Sequence, residues 1–184
     1  MGKIFDELNS DLCDFISRQK MFFVGSAPVD TEGMVNISPK GSDSFRILNS
    51  KTVAYLDLTG SGIESVAHIK ENGRFVIMFC SFDQSPKIVR LHGKAVVFER
   101  NSVEWDSLQD QFKVPLIGRA IIQLAINRVS DSCGWGVPMY EYMGDRELFG
   151  KYERQVDTEK LRQSQLENNM QSNDGLPGLQ RPSF

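Results

Sequence analysis

Six short runs of β-forming residues, separated by tight turns or by single short helices, constrain the fold of this chain more than any other feature. The runs lie at residues 21–25, 34–38, 52–57, 75–79, 88–99 and 119–127. Strands joined by tight turns pair antiparallel, whereas a doubly wound parallel sheet needs a long helix between successive strands. The pattern therefore predicts a mainly β fold, with an antiparallel barrel that is decorated by helices.

The strand pattern is clearest in the second half of the chain. Residues 75–79 (FVIMF) form the most apolar run, which is typical of a central strand. Residues 88–99 predict a long strand, and its glycine, Gly93, indicates a bulge or a close backbone approach. Residues 119–127 alternate between apolar and more polar side chains, as a strand with one buried face does. These runs supply the best-defined strands of the predicted barrel.

Helices are predicted between the strands. Apolar residues recur at helical spacing over residues 3–18, and residues 63–71 and 102–112 show shorter patterns of the same kind. Asn101–Glu104 resembles a capping box at the start of the third helix. Residues 40–49 show neither period and are expected to be a loop or an irregular segment.

The composition changes in the last fifty residues. Residues 145–170 are polar and helix-forming with few large apolar side chains, which predicts one long surface helix. Residues 171–184 are rich in turn formers and are expected to be disordered unless they are docked. The chain is therefore divided into a barrel domain, residues 1–144, and a C-terminal helix and tail, residues 145–184, packed on the same domain or on a partner subunit.

Charge and hydropathy exclude several classes of function. A net charge of −3 argues against binding to nucleic acid through its phosphate backbone. No apolar run approaches the length that spans a membrane, and the first residues lack a signal-peptide pattern. Three cysteines, odd in number and far apart, argue against a disulfide framework, and Cys133 is expected to be buried. A cytoplasmic location is expected, and no metal site is predicted because the two histidines lack ligand spacing.

Two neighbouring strand ends offer the groups that a phosphate needs. The first, VNISPKG, ends in Ser38, Lys40 and Gly41. The second, TVAYLDLTGSG, ends in residues 59–62 at the mouth of a predicted helix. Hydroxyls, a lysine, free backbone N–H groups and glycines together suit a phosphate. The stretch has neither the Walker nor the dinucleotide-binding spacing, so the prediction is a phosphorylated ligand of another kind.

The motifs in their order resemble the pyridoxamine 5′-phosphate oxidase-like family, whose members are flavin-binding split-barrel proteins. The resemblance rests on VNISPKG, AYLDLTGSG, the helix ESVAHIKEN, FVIMF and KIVRLHGKAVVF, and it covers roughly residues 20–180. The later segments CGWGVP, MYEYMGDRE and SNDGLPGL resemble a branch of the family that is separate from the oxidases proper.

The resemblance implies a six-stranded antiparallel Greek-key split barrel and a homodimer with FMN bound at the interface. Residues implied to lie along the flavin are Asn36, Ser38 and Lys40, and those near the ribityl chain and phosphate are Asp57, Leu58, Thr59, Gly60 and Ser61. Arg90 matches a position near the ligand, and Trp135 is expected to come from the second subunit and cover the ring. The implied function is FMN-dependent oxidoreduction of a small molecule, with the flavin performing the transfer and no side chain assigned a catalytic role.

Two departures from the oxidases keep alternatives open. The oxidases carry a basic pair directly after the serine that matches Ser61, where this chain has Gly62 and Ile63. The arginine and histidine with which the oxidases grip pyridoxal phosphate are not found either. The alternatives are a non-catalytic carrier or sensor of a flavin, a deazaflavin or haem, the last using His68 or His92, and a degenerate barrel kept for protein interaction.

Overall fold

One antiparallel sheet dominates the structure, a computed structural model that describes residues 2–113 and 115–184. Its eight strands are β1 (Ile4–Phe5), β2 (Phe22–Ser26), β3 (Asn36–Lys40), β4 (Phe45–Asn49), β5 (Thr52–Leu58), β6 (Arg74–Cys80), β7 (Ile88–Glu99) and β8 (Gly118–Ser132). The helices are α1 (Ser10–Arg18), α2 (Glu64–Asn72), α3 (Val103–Leu108), α4 (Leu148–Gln155) and α5 (Thr158–Asn168), with a 3₁₀ turn at Gln109–Gln111.

The sheet curls into an open barrel. The strands lie in the order β3-β2-β6-β7-β8-β5-β4, and β1 pairs with β8. Although β4 stands at the far edge from β2, the Phe45 ring lies 5.3 Å from that of Phe22 and 5.0 Å from that of Phe79. These contacts cross the interior, so the two halves of the sheet enclose one core. The predicted mainly β, antiparallel architecture is confirmed.

The strand count is corrected from six to eight. Residues 45–49 were expected to be a loop, but they form β4 because Phe45, Arg46 and Ile47 pair with the long strand β5. The predicted helix over residues 3–18 begins only at Ser10. Ile4 and Phe5 pair instead with β8, which runs beyond its predicted end. Both differences come from pairing with distant residues, which local periodicity does not show.

The barrel core and a smaller core cover the two faces of β5. Val53 and Tyr55 belong to the barrel core, while Ala54 and Leu56 pack with Trp105 in a cluster under α3. Strand β7 also carries the predicted irregularity at Gly93, where the register with β8 shifts and a Cβ would meet a backbone carbonyl oxygen. Since side chains alternate along a strand, Asp57 continues the face of Tyr55 toward the end of the barrel.

The C-terminal segment forms two helices rather than the predicted single one. The break falls at Val156–Asp157, and the Asp157 side chain caps α5 by accepting from the Lys160 N–H at 2.8 Å. The tail that follows is docked on the barrel: Leu179 lies in the barrel core, and Ser183 is buried.

Two further features concern the class of protein. No helix in residues 2–113 and 115–184 is long and apolar enough to cross a bilayer. The three cysteines are free, and Cys133 is exposed, not buried as predicted, because it lies in an irregular segment after the end of β8.

Candidate functional site

A cavity of about 1160 Å³ lies where the ends of β3 and β5 meet the start of α2. Eight of the ten residues singled out from sequence line it: Asn36, Ser38, Lys40, Asp57, Leu58, Thr59, Gly60 and Ser61. The fold therefore brings together the two strand-end motifs, VNISPKG and TVAYLDLTGSG, that were predicted to bind a phosphate. Arg90 and Trp135 do not line this cavity.

A carboxylate shared by two cations forms the floor of the cavity. Lys40 Nζ donates to Asp57 Oδ1 at 2.8 Å, and Arg119 Nε donates to Asp57 Oδ2 at 2.8 Å. The Asp57 side chain is fully buried, that of Arg119 is 5% exposed and that of Lys40 is 22% exposed. With one negative and two positive groups, the cluster keeps a net positive charge beside the strand ends.

Arg119 lines the cavity but was not among the residues that the sequence analysis singled out. In the pairing of β5 with β8, Asp57 lies opposite Ala120 and Leu58 opposite Gly118, so Arg119 is the extra residue of a β-bulge. Bulges re-aim side chains and often lie next to functional sites. The alternation of residues 119–127 gave no signal of this, because register against a distant strand decides where the bulge falls.

The two cations hold Asp57 ionised. Burial alone would raise the pKa of Asp57, but the charges and hydrogen bonds of Arg119 and Lys40 outweigh that effect and lower the pKa to about 2. Asp57 is therefore a carboxylate at neutral pH. Its role is to fix two cations, and it has no proton to give.

The ionisation of Asp57 predicts an acid-dependent loss of stability. Because its pKa falls from 3.8 to about 2 on folding, its contribution is complete above about pH 5 and lost as the pH falls through about 2. The shift corresponds to roughly 2 kcal/mol of unfolding free energy. Urea unfolding of the wild type and Asp57→Asn at a series of pH values measures it. The variant should show a shallower acid slope, and equal slopes would contradict this assignment.

One donor of the cluster has no hydrogen-bond partner among residues 2–113 and 115–184. Arg119 Nη1 is buried and makes no hydrogen bond to any residue in the described part of the chain. A buried guanidinium N–H left unpaired is costly, and an oxygen of an anionic ligand is a partner that suits it. The site's residues thus fit an anionic group.

Polar side chains join the strand end to the helix start. Asn36 Nδ2 donates to Ser65 Oγ at 3.0 Å, and Ser38 Oγ donates to Asn36 Oδ1 at 3.2 Å. At Ile63, the N-cap of α2, no side chain caps the helix. The first N–H groups of a helix lack partners within it, so this helix start adds donors at the cavity edge.

A carboxylate stands close to that helix start. A Cβ built on Gly62 would lie 2.5 Å from Glu64 Oε2, and Glu64 also lines the cavity. Glu64 is the acidic residue in the first turn of α2. An acid near a helix N-terminus is favourable for the helix, but it repels a second anion there. The site therefore lacks a basic pair after Ser61 and has a nearby acid.

Residues of the segment before α4 also line the cavity. The Phe82 and Tyr140 rings lie 5.6 Å apart, and Tyr140 N–H donates to the Phe82 carbonyl at 3.0 Å. Lys20 Nζ lies 5.6 Å from the centre of the Tyr142 ring. Phe149, at the start of α4, lines the cavity too. MYEYMGDRE thus supplies a more aromatic wall, a role that the sequence analysis did not assign to it.

The remaining candidates lie outside the cavity. Arg90 Nη1 donates to Ser132 Oγ at 3.1 Å, and Trp135 is 83% exposed. His68 is fully buried, and its Nδ1 lies 2.9 Å from Ser26 Oγ. Burial lowers the pKa of both His68 and His92, and neither histidine lines the cavity.

The structure is thus an antiparallel barrel with a cationic cluster in a cavity at its end. Residues 8–133 match the family model of pyridoxamine 5′-phosphate oxidase. An Aspergillus flavus relative, the pyridoxamine 5′-phosphate oxidase family protein ustO, is 40% identical over 97% of this chain and 78% of its own. The chain belongs to the pyridoxamine 5′-phosphate oxidase family.

Solved structures agree on the fold. HupZ of group A Streptococcus matches 66% of this chain and 91% of its own with a TM-score of 0.51 at 22% identity. A Lactobacillus delbrueckii protein, described as a candidate pyridoxamine 5′-phosphate oxidase, matches 68% of this chain and 94% of its own with a TM-score of 0.52 at 20% identity. At these identities the likeness concerns the fold alone, and the fold is that of the family's split barrels.

Proposed function

We propose that this protein binds FMN in the cavity and is an FMN-dependent oxidoreductase that acts on a small molecule. The observation that supports this most is the cluster of Asp57, Lys40 and Arg119, which keeps a net positive charge and one donor with no partner in the described part of the chain. It lies beside a Gly- and Ser-containing loop at a helix start, where phosphates bind in many proteins.

The phosphate of FMN would be held at the strand ends. Lys40 offers the charge, and Thr59, Gly60 and Ser61 offer hydroxyl and backbone N–H donors. Asn36, Ser38, Asp57 and Leu58 would then lie along the ribityl chain and the ring. Bound flavin supplies hydride or electron transfer, and the protein supplies binding, orientation and a shaped pocket.

A homodimer with the cofactor at its interface is part of the proposal. Arg90 and Trp135 do not line the cavity of their own chain, so a contact between Trp135 and the ring requires a second copy. Trp135, Met139 and Met143 are largely exposed in the isolated chain, at 83%, 68% and 87%. A group of exposed large apolar side chains is typical of an interaction surface. We place this dimer in the cytoplasm, where its three free cysteines would stay reduced.

A carrier or sensor that holds a flavin or deazaflavin without turnover is the second candidate. The observation that favours it is the Glu64 carboxylate close to Gly62, where the oxidases have a basic residue. A lower affinity for the cofactor's phosphate would allow a carrier or sensor to bind and release the cofactor reversibly. No comparable observation favours haem, since His68 is bonded to Ser26 and neither histidine lines the cavity.

The visible absorption spectrum of freshly purified protein, followed by titration with FMN, tests the proposal. A flavin spectrum, or FMN binding that raises the melting temperature, supports it. Consumption of a nicotinamide donor or release of peroxide, dependent on bound FMN, would then separate the oxidoreductase from the carrier. A colourless protein that neither binds FMN nor is stabilised by it would overturn the proposal, and a Soret band would replace flavin with haem.

Substitution of Gly62 with arginine is expected to tighten FMN binding about tenfold. It introduces a basic residue after Ser61, where a Cβ would contact the Glu64 side chain and no backbone atom within 4 Å. A charge-assisted bond to phosphate of about 1.4 kcal/mol corresponds to that factor. Fluorescence titration with FMN and with riboflavin, which lacks the phosphate, measures it.

The control for Gly62→Arg is Val103→Arg, which adds the same charge at a residue of α3 that is 83% exposed and lies outside the lining of the cavity. The control should leave FMN binding unchanged. Ile63, the second position of the basic pair, is 1% exposed in the barrel core and is unsuited to a charge. Equal gains for FMN and riboflavin in Gly62→Arg would contradict phosphate binding at this loop.

A further inference from the structure

We propose that helix α5 and its C-cap position the loop of residues 59–62 through two buried amide side chains, Gln165 in the helix and Asn169 at the cap. The proposal rests on the proposed function in one respect only, the role of this loop in holding phosphate. Neither amide lines the cavity, so both would be positioning residues.

Gln165 forms a hydrogen bond with Thr59, the first residue of the loop. Its side chain is fully buried, and its Nε2 donates to Thr59 Oγ1 at 2.8 Å. The same amide donates to Ser183 Oγ at 3.1 Å and accepts from the Ser183 N–H at 2.7 Å. One side chain therefore links the loop to the last residues of the chain.

Asn169 forms a hydrogen bond with Gly60, the next residue of the loop. It is also fully buried, and its Nδ2 donates to the Gly60 carbonyl at 2.9 Å. Asn169 caps α5 and its N–H bonds to the Gln165 carbonyl, so the two amides follow each other at helical spacing and contact consecutive loop residues. Each amide donates one hydrogen bond to the loop, while Asn169 Oδ1 is buried without a partner among the described residues.

The helix that holds these amides is itself anchored. Leu161 is fully buried, and the carbonyl of Asn169 accepts from the Leu179 N–H at 2.8 Å. Asn101 Nδ2 donates to the Ser183 carbonyl at 2.9 Å, which ties the tail to the barrel. The restraint on the loop therefore runs through α5 and the docked tail into the rigid sheet.

These hydrogen bonds restrain a loop that is otherwise expected to be flexible. Gly60 and Ser61 are exposed, and two of the loop's four residues are glycines, which lose the most freedom on ordering. A loop held in place before the ligand arrives avoids that cost at the binding step. The C-terminal segment would thus strengthen phosphate binding without touching the phosphate.

The test compares Gln165→Met and Asn169→Ala with the control Asn168→Ala, whose side chain is exposed and bonds only the Ser164 carbonyl within α5. Thr59→Val removes the loop-side acceptor and leaves α5 intact, should an α5 variant not fold. The first readout uses protein without ligand: amide exchange of Thr59, whose N–H bonds to the Ile117 carbonyl at 2.8 Å, and the ¹⁵N–{¹H} NOE of Gly60.

We expect Thr59 exchange about tenfold faster and a lower Gly60 NOE in the test variants, with Asn168→Ala like the wild type. The second readout is the dissociation constant for FMN, expected to rise about tenfold in Gln165→Met and Asn169→Ala, and for riboflavin, expected to change less than twofold. Unchanged loop order, or equal losses for FMN and riboflavin, would overturn positioning of a phosphate loop. If the wild type does not bind FMN, the proposed function fails and the ligand-free readout alone decides the positioning.

Discussion

Replacement of Arg119 with methionine is expected to lower the free energy of unfolding by about 3–5 kcal/mol. The change leaves the fully buried Asp57 carboxylate with Lys40 as its single charged partner. A buried charge that loses a partner keeps its desolvation penalty without the compensating attraction. Urea denaturation at neutral pH measures the loss, which should lower the melting temperature by roughly 10 °C.

Arg128→Met is the matched control for Arg119→Met. Arg128 lies on the same strand, β8, but is exposed, and the same substitution there should change the unfolding free energy by less than about 0.5 kcal/mol. An equal, small effect of both substitutions would show that Asp57 is adequately stabilised without Arg119 and would contradict the proposed floor of the cavity. The two arginines differ in burial and in contact with Asp57. The difference between the two losses of unfolding free energy therefore measures the effect of removing the buried Arg119–Asp57 pair.

Replacement of Lys40 with alanine is expected to weaken FMN binding about 10- to 100-fold. Hydrogen bonds to charged groups contribute about 1.5–3 kcal/mol, which corresponds to that range. Lys40 is the partly exposed cation of the cluster, and Arg119 remains to pair with Asp57 when it is removed. Riboflavin binding should change little, because riboflavin has no phosphate. Fluorescence titration with both ligands measures the difference.

Lys94→Ala serves as the control for Lys40→Ala. Lys94 lies on β7, and its ammonium group donates to the Asn72 carbonyl at 2.8 Å, outside the lining of the cavity. FMN retention in Lys40→Ala equal to that of the wild type would reject a phosphate contact for this lysine. Equal losses in both lysine variants would point to a general effect of net charge.

The local motifs predicted most of the residues at the candidate site. Ser38 and Lys40 lie at the end of one strand, and Thr59–Ser61 follow the end of another. Strand ends, turn glycines and helix starts each show a characteristic pattern within a few neighbouring residues. They can therefore be recognised from the sequence before the strand pairing is known. The sequence analysis thus found both halves of the site, and pairing within the sheet brought them together.

Long-range pairing decided the residues that were missed. Arg119 lies 62 positions from Asp57, and a bulge in the pairing of β5 with β8 turns it toward the cavity. Gln165 lies 106 positions from Thr59, and nothing in the sequence distinguishes it from the other amide residues of this polar helix. Strand β4 went unrecognised for the same reason, since its partner β5 orders a segment without clear alternation of its own.

The sequence by itself determined the antiparallel β class, the strands around Gly93 and the two motifs at the strand ends. Period-2 alternation and turn residues act over short distances, and these features follow from them. Only the tertiary structure decided how the cationic cluster assembles in the cavity and where the C-terminal segment packs. A register shift of one residue moves a side chain to another face, and a buried amide finds its partner only when distant segments meet.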